Sequence, residues 1–195
     1  MDILEKLKKN SEILKDTDIG EKIIYFRDKI ISKIHDNKIF FAGNGGSAAQ
    51  AQHFSTELIV RYNKKFRERS YPCISICSDN VLLSACANDY GYENVFSKQL
   101  MGLAKQNDLL ILFSTSGNSE NIIKAIKWGK KNKLKTVSLN GFDGGRAKKI
   151  SDISINVPCN NYGIVEDLHQ SIMHILAQSI RIQNLYNKDF LKINF

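Results

Sequence analysis

Two sets of titratable side chains stand at helical spacing in this sequence. His53 and Glu57 are four residues apart, and Glu166, Gln170 and His174 repeat every four residues. Side chains four residues apart project from one face of a helix. Surface ion pairs share this spacing and contribute little to stability, but two such faces in a chain with 4 histidines favour a functional site. A carboxylate and an imidazole that converge can move a proton between adjacent carbon atoms.

The same side chains carry the donor atoms of a metal site. If the two helix faces meet, His53 and His174 supply two imidazoles, and Glu57 and Glu166 supply two carboxylates. Such a set suits a zinc-like ion that keeps one position open for a substrate. The sequence therefore predicts an acid–base site combined with a metal site.

A glycine-rich loop over residues 43–47 follows the first apolar run and opens a helix; it reads Gly-Asn-Gly-Gly-Ser. Glycine lets the backbone turn sharply and approach a ligand, and the free N–H groups at a helix start favour an anion. The spacing is not G-x-G-x-x-G and no Gly-Lys-Ser/Thr follows, so neither the dinucleotide nor the P-loop fingerprint fits. By itself the loop also fits an ordinary strand-to-helix turn.

A second polar loop, over residues 114–119, reads Ser-Thr-Ser-Gly-Asn-Ser and again precedes a helix. Four of its side chains carry hydroxyl groups, whereas capping the helix requires only one. Several hydroxyl donors together with free backbone N–H groups suit a phosphate monoester. We therefore expect a phosphate group to bind Ser114, Thr115, Ser116 and Ser119.

Short apolar runs alternate with helix-patterned segments along the chain. The apolar runs are 38–42, 73–77, 109–113, 136–139 and 153–157. The helical segments are 2–15, 20–35, 47–62, 79–104, 119–132 and 163–186. This alternation predicts a doubly wound five-stranded parallel α/β sheet flanked by helices, in one domain over residues 1–195 with helical segment 1–35 packed on it. Ligands of such sheets bind at the carboxyl ends of the strands, where both polar loops fall.

The two loops together resemble the pattern of the sugar isomerase (SIS) domain. The likeness extends over nearly the whole chain and includes Asn88-Asp89 and Asp143-Gly144-Gly145. Within that superfamily the sequence looks most like the phosphoheptose isomerase family. The resemblance implies conversion of sedoheptulose 7-phosphate to D-glycero-D-manno-heptose 7-phosphate through an enediol, for lipopolysaccharide or capsule heptose. It also implies one zinc ion per active site and a homotetramer with active sites between subunits.

The resemblance also assigns roles to individual residues. Glu57 falls on the position of the catalytic base and His174 on that of its acid–base partner. His53, Glu57, Glu166 and His174 fall on the metal positions. The substrate-contact positions are Asn44, Gly45, Gly46, Ser47, Glu57, Asn88, Asp89, Ser114, Thr115, Ser116, Ser119 and Glu166.

Glu166 departs from the family pattern. The family typically reads Arg-Ile-Gln-Glu where this chain reads Ile164-Val165-Glu166-Asp167. A carboxylate is still an oxygen ligand for a divalent cation, but the local charge falls by one and the sugar contact becomes acceptor-only. The resemblance therefore specifies the reaction class more closely than the sugar, and another ketose phosphate remains open as the substrate.

Composition argues against several other classes of protein. The formal charge is +8, but the lysines are spread along the chain and no aromatic residues alternate with them, so no nucleic-acid partner is expected. The apolar runs are too short to span a bilayer and no apolar signal segment begins the chain, so we expect a cytoplasmic protein without a membrane partner. The cysteines form no C-x-x-C pair and are expected to be buried reduced thiols; they are Cys73, Cys77, Cys86 and Cys159.

Two alternatives to an isomerase remain open. The first is a non-catalytic SIS-domain protein that binds a sugar phosphate or a protein partner. Glutamate in place of glutamine at position 166 favours this alternative, and the presence of Glu57 with His53 and His174 opposes it. The second is a nucleotide-binding α/β domain, which the absence of a dinucleotide fingerprint opposes.

Overall fold

The computed structural model describes residues 3–31, 37–61 and 71–186. The helices are α1 (Ile3–Leu14), α2 (Thr17–Ile31), α3 (Gly46–Thr56), α4 (Asn80–Tyr90), α5 (Val95–Leu103), α6 (Glu120–Lys131), α7 (Gly145–Ile150) and α8 (Tyr162–Tyr186). The strands are β1 (Ile39–Ala42), β2 (Cys73–Ser75), β3 (Leu109–Ser114), β4 (Lys135–Asn140) and β5 (Ile153–Asn156). The predicted alternation of strands and helices is confirmed.

The sheet has 5 parallel strands in the order β2-β1-β3-β4-β5. Every residue of β3 is buried, as is every residue of β1. Burial on both faces of the sheet explains why these strands are continuous apolar runs without alternation. The chain leaves β1 for β2 and then returns to β3 on the other side of β1. The carboxyl ends of β1 and β3 therefore form the topological switch point, where α/β sheets bind ligands.

Helices from separate parts of the chain contribute apolar residues to the core around the sheet. In α6, Ile122, Ile123 and Ile126 are buried, and α2 contributes Ile19 and Phe26 to the same core. The predicted packing of the whole helical segment 1–35 on the domain stays a prediction. The division into one domain over residues 1–195 stays a prediction, and part of the predicted helix 20–35 lies outside the described residues.

The predicted helix over residues 79–104 is wrong in one respect, because it is two helices. Gly91 has a φ of +83°, which L side chains rarely adopt, and it separates α4 from α5. A 3₁₀ turn over Tyr92–Asn94 connects them. The break turns the chain before α5 and places Tyr92 close to the glycine loop.

The cysteines are free thiols, as predicted; Cys77, Cys86 and Cys159 are buried and Cys73 is half-buried. Burial raises the pKa of the Cys77 thiol, although a hydrogen bond from the backbone of Gly43 opposes the shift. Within residues 3–31, 37–61 and 71–186, no helix combines the length and the apolar character needed to cross a membrane.

Candidate functional site

The glycine loop at the end of β1 brings the start of α3 onto the switch point. A Cβ added at Gly43 would lie 2.5 Å from the backbone of Ser47, so a larger residue does not fit there. The N–H of Gly43 donates to Sγ of Cys77 at 3.3 Å, which fixes the loop against the chain that follows β2. Helix α3 then begins at Gly46, so its first free N–H groups lie beside the carboxyl ends of the central strands.

Asn44 is held in one orientation by two neighbours. Its Nδ2 donates to Oδ1 of Asn121 at 3.0 Å, and Nδ2 of Asn121 donates back to Oδ1 of Asn44 at 2.8 Å. The hydroxyl of Tyr92 donates to the same Asn44 oxygen at 3.1 Å. The oxygen of Asn44 is therefore engaged, and its amide keeps at most one N–H for a ligand. Sequence reasoning missed Tyr92 and Asn121, although they lie next to the motifs at Asp89 and Ser119.

The hydroxyl loop over residues 114–119 is fixed by the loop that follows β4. A Cβ added at Gly117 would overlap the carbonyl oxygen of Gly144, so the two backbones touch. The guanidinium of Arg146 donates to the carbonyl of Asn118 at 2.6 Å and forms an ion pair at the start of α6. These contacts hold the loop in place from outside the cleft.

A cleft of about 190 Å³ opens between the two loops and α8. Of the predicted substrate contacts, those that line it are Asn44, Ser47, Ser114, Thr115, Ser116, Ser119 and Glu166. Phe113 and Tyr162 also line the cleft and were not predicted. The hydroxyl groups that the sequence assigned to a phosphate therefore face one common space.

Five other predicted substrate contacts do not line this cleft. One of them, Glu57, lies in the group with His53 and His174. Gly45 and Gly46 are exposed at the entrance to α3, where a Cβ added at Gly46 would lie 2.8 Å from Oε1 of Glu166. Asn88 and Asp89 lie on the exposed side of α4, and Nδ2 of Asn88 donates to Oδ1 of Asp89 at 2.9 Å. Their contact with a substrate stays a prediction.

His53, Glu57 and His174 come together where α3 packs on α8. Their candidate ligand atoms all lie within 4.8 Å of one another. Nε2 of His53 is 3.4 Å from Oε1 of Glu57, and the rings of His53 and His174 have centroids 5.2 Å apart. The side chain of Glu57 is 7% exposed and that of His53 is 41% exposed. A buried carboxylate thus lies beside an imidazole that water can reach.

Glu57 also marks a change of helix type. The α-helical hydrogen bonding of α3 ends at Thr56, and a π-helical turn runs over Glu57–Arg61. Turns of this kind are rare and occur frequently at functional sites. The local backbone therefore agrees with a functional role for Glu57.

Glu166, the fourth predicted metal ligand, does not belong to this group. Its carboxylate rests against Gly46, and its backbone oxygen accepts a hydrogen bond from Nε2 of Gln50 at 2.7 Å. The side chain beside His174 is instead Gln170, whose Nε2 lies 2.9 Å from Nε2 of His174. The polar face of α8, formed by Glu166, Gln170 and His174, is therefore divided. Glu166 faces the cleft, and the other two side chains lie at the His53–Glu57–His174 group.

The three grouped side chains fit a divalent cation. Two imidazoles and one carboxylate are a donor set found in catalytic zinc sites, in which the fourth position takes water or substrate. Nε2 of His53 is buried and has no hydrogen-bond partner within the described parts of the chain. A cation would engage this nitrogen, and a buried polar atom without a partner is costly.

His169 lies on α8 between Glu166 and His174 but faces the core. Its side chain is 0% exposed, and its Nε2 lies 3.1 Å from the carbonyl oxygen of Asn140. Burial lowers the pKa of His169 to about 4, although the hydrogen bond opposes the shift. The ring is therefore neutral and belongs to the packing beneath the site.

Residues 13–141 match the family model described as SIS domain, and this match over more than half of the chain makes it an SIS-domain protein. The phosphoheptose isomerase of Sulfurimonas denitrificans is 40% identical over 190 residues, covering 91% of this chain and 93% of the relative. That of Helicobacter pylori strain HPAG1 is 45% identical over 146 residues, covering 75% of each. The chain belongs to the phosphoheptose isomerase family, whose members are phosphosugar isomerases.

Solved structures agree with this assignment. The phosphoheptose isomerase from Neisseria gonorrhoeae superposes with a TM-score of 0.83 at 31% identity, covering 91% of this chain and 93% of that one. The phosphoheptose isomerase from Francisella tularensis superposes with a TM-score of 0.84 at 28% identity over the same shares. The predicted fold class and family are therefore confirmed.

Proposed function

We propose that this chain converts sedoheptulose 7-phosphate to D-glycero-D-manno-heptose 7-phosphate through an enediol, in the synthesis of lipopolysaccharide or capsule heptose. One observation carries the proposal: buried Glu57 lies beside two imidazoles on α3 and α8, the helices that also bound the hydroxyl-lined cleft. The names of the relatives from Sulfurimonas denitrificans and Neisseria gonorrhoeae support the reaction.

The phosphate binds the hydroxyl loop at the start of α6. Ser114, Thr115, Ser116 and Ser119 offer donors, and the free N–H groups of the helix start favour the negative charge. Glu166 faces the same cleft, where it accepts hydrogen bonds from sugar hydroxyl groups rather than from the phosphate. The loop thus fixes one end of the substrate and leaves the sugar to extend along α8.

The separation of cleft and acid–base group supports a long sugar. Glu166 and His174 are eight residues apart on α8, which corresponds to about 12 Å along the helix axis. Glu166 in the cleft and His174 in the acid–base group therefore occupy successive positions along α8. A seven-carbon sugar phosphate carries its phosphate and its reacting carbons at opposite ends, and this separation supports such a substrate.

The reaction needs proton transfers at carbon and at oxygen. Glu57 removes a proton from C1 of the ketose while the carbonyl oxygen on C2 gains a proton, which gives the enediol. Glu57 then returns its proton to C2 while the hydroxyl on C1 loses its proton, which gives the aldose. His174 carries the oxygen-bound protons. The burial of Glu57 keeps bulk water away from the base during these steps.

We assign zinc binding to the same residues. His53, Glu57 and His174 would hold the ion. Glu166, the further donor that the resemblance names, lies against Gly46 and would have to turn away from it to reach the ion. When bound there, zinc would supply Lewis-acid chemistry, which stabilises negative charge on a carbonyl oxygen. Supporting observations are the convergence of the three ligand atoms and the buried Nε2 of His53.

The active form is proposed to be a cytoplasmic homotetramer with active sites between subunits. The exposed side of α4 supports association, because Val81 is 79% exposed and Tyr90 is 52% exposed, and Met101 on α5 is 58% exposed. Asn88 and Asp89 share that side of α4, so a neighbouring subunit would bring a partner close to them. Light scattering should give about 88 kDa, which is four times 22.1 kDa; a species of one chain mass would contradict the proposal.

The decisive experiment is incubation of the purified protein with a panel of C5 to C7 ketose phosphates, with products identified by NMR. We expect turnover of sedoheptulose 7-phosphate and little turnover of shorter sugars. Turnover of a different ketose phosphate would correct the substrate and keep the reaction class. Binding of sugar phosphates without turnover of any would favour the non-catalytic alternative.

A further inference from the structure

The side chain of Asn44, which lines the cleft, exchanges two hydrogen bonds with the side chain of Asn121. Asn121 is the second residue of α6 and is 3% exposed. The backbone N–H of Ile122 donates to Oδ1 of Asn121 at 2.9 Å. A backbone N–H can only donate, so this atom of Asn121 must be the carbonyl oxygen. The atom of Asn44 that lies 3.0 Å from the same oxygen must then be the amide nitrogen, and the backbone thus fixes the orientation of both amides.

Tyr92 holds the other side of the Asn44 amide. Its hydroxyl donates at 3.1 Å to Oδ1 of Asn44, which also accepts from Nδ2 of Asn121 at 2.8 Å. These two donors occupy both lone pairs of that oxygen. The amide nitrogen of Asn44 gives one N–H to Asn121. Asn44 therefore offers the cleft its second N–H and acts there as a donor.

Helix α6 also holds the turn that carries Tyr92. Nζ of Lys124 donates to Oδ1 of Asn94, at the end of that turn, at 3.1 Å. Lys124 is three residues after Asn121, so the two side chains are neighbours on one face of α6. Both groups that hold Asn44 are therefore attached to the helix that begins directly after the hydroxyl loop.

We propose that Asn121 and Tyr92 are positioning residues for Asn44. They hold its amide as a single hydrogen-bond donor for an acceptor oxygen of the sugar phosphate. Through Asn121, the helix that follows the hydroxyl loop also fixes the glycine loop, so less side-chain entropy is lost when a ligand contacts both loops. The identity of the ligand rests on the proposed function, but the order of the Asn44 side chain can be measured without any ligand.

The first test measures the order of the Asn44 side chain in the ligand-free protein by ¹⁵N relaxation of its NH₂ group, which is assigned from its loss in Asn44→Ala. We expect an order parameter of about 0.85, as in rigid backbone, and a value below about 0.6 in Asn121→Ala. The matched control is Asn132→Ala at the opposite end of α6, where an exposed asparagine bonds its own helix, and it should leave the value unchanged. A value below about 0.6 in the unsubstituted protein would overturn the proposal.

The second test is a double-mutant cycle on ligand binding, measured by calorimetry. The ligand is the heptitol 7-phosphate obtained by reduction of sedoheptulose 7-phosphate, which has no carbonyl group and cannot be isomerised. Asn44→Ala and Asn121→Ala should each weaken binding about three- to tenfold. The double variant should bind as Asn44→Ala does, because Asn121 acts through Asn44. Losses that multiply would overturn the proposal, since Asn121 would then act independently of Asn44.

Tyr92→Phe keeps the proposal testable if loss of the buried Asn121 side chain prevents folding. Tyr92 is 57% exposed and loses only its hydroxyl, so the urea midpoint should stay constant while heptitol phosphate binds about two to three times more weakly. The same substitution should have no effect on binding in Asn44→Ala. An equal loss in that background would overturn the positioning role of Tyr92.

The outcomes also separate this proposal from the proposed function. An ordered Asn44 side chain in a protein that does not bind heptitol phosphate upholds the positioning role and contradicts the proposed substrate. A disordered Asn44 side chain in a protein that isomerises sedoheptulose 7-phosphate overturns the positioning role and upholds the proposed function.

Discussion

Glu57→Gln removes the proposed base while it keeps the shape of the side chain. Loss of a positioned base costs about 10²–10⁴-fold in rate, and each tenfold loss corresponds to about 1.36 kcal/mol. Because Glu57 is 7% exposed, water has little access to replace it. We therefore expect kcat to fall by about 10³-fold or more, which raises the barrier by about 4 kcal/mol. The proposed phosphate contacts line the cleft and do not include Glu57, so KM should change little.

The assay follows kcat with sedoheptulose 7-phosphate and the uptake of deuterium from D₂O at C1. Both signals report proton removal from carbon, and both should disappear together in Glu57→Gln. The urea midpoint should stay nearly constant, because an amide of equal size replaces a carboxylate whose burial is itself unfavourable. Glu12→Gln, on the exposed side of α1, is the matched control and should match the unsubstituted protein. Retention of more than about a tenth of kcat would refute the assignment of the base.

Three further predictions concern the cleft and the core. Ser119→Ala should weaken sugar phosphate binding by about tenfold or more in calorimetry, because a hydrogen bond to a charged group contributes about 1.5–3 kcal/mol. The control Ser84→Ala, on the exposed side of α4, should leave the affinity unchanged. Equal losses of affinity in the two variants would contradict the phosphate assignment. Glu166→Gln should tighten binding of inorganic phosphate about threefold at low ionic strength, because the substitution removes a negative charge from the cleft. Weaker binding of phosphate by this variant would show that the carboxylate does not repel the anion. The pKa of His169 is about 4 when folded and 6.5 when unfolded, so the unfolded chain binds more protons and stability should fall as the pH drops from about 6.5 to about 4. The urea midpoint should lose less over that range in His169→Asn than in the unsubstituted protein, and parallel pH profiles would contradict the shift.

The sequence predicted the sheet well because strands that are buried on both faces of a sheet consist of continuous apolar runs. The predicted run 109–113 corresponds to Leu109–Ser114, and 153–157 corresponds to Ile153–Asn156. The break at Gly91 was missed, because both flanking segments have helix-compatible residues and only the three-dimensional path of the chain requires a positive φ there. The π-helical turn after α3 has no residue pattern that distinguishes it from a continued α-helix.

The sequence predicted which helix faces and loops form the site, but it did not predict the contacts between individual side chains. Spacing placed His53 with Glu57 on one helix face, and the parallel sheet brought both loops to one edge. The bond between Asn44 and Asn121 joins residues 77 positions apart, a separation that no local pattern encodes. Spacing also cannot specify a side-chain rotamer. The sequence therefore could not show that Glu166 lies against Gly46, whereas Gln170 on the same helix face lies beside the ring of His174.

The contact between Gly117 and Gly144 makes the two walls of the cleft unequal. On that wall backbone packs on backbone, so the protein itself holds the hydroxyl loop. Binding of the proposed phosphate there should therefore incur little entropic penalty. The opposite wall consists of α8 side chains such as Tyr162 and Glu166, which can be replaced without disturbing the helix. Substitutions on α8 should therefore change the proposed sugar contacts while the proposed phosphate loop keeps its backbone packing.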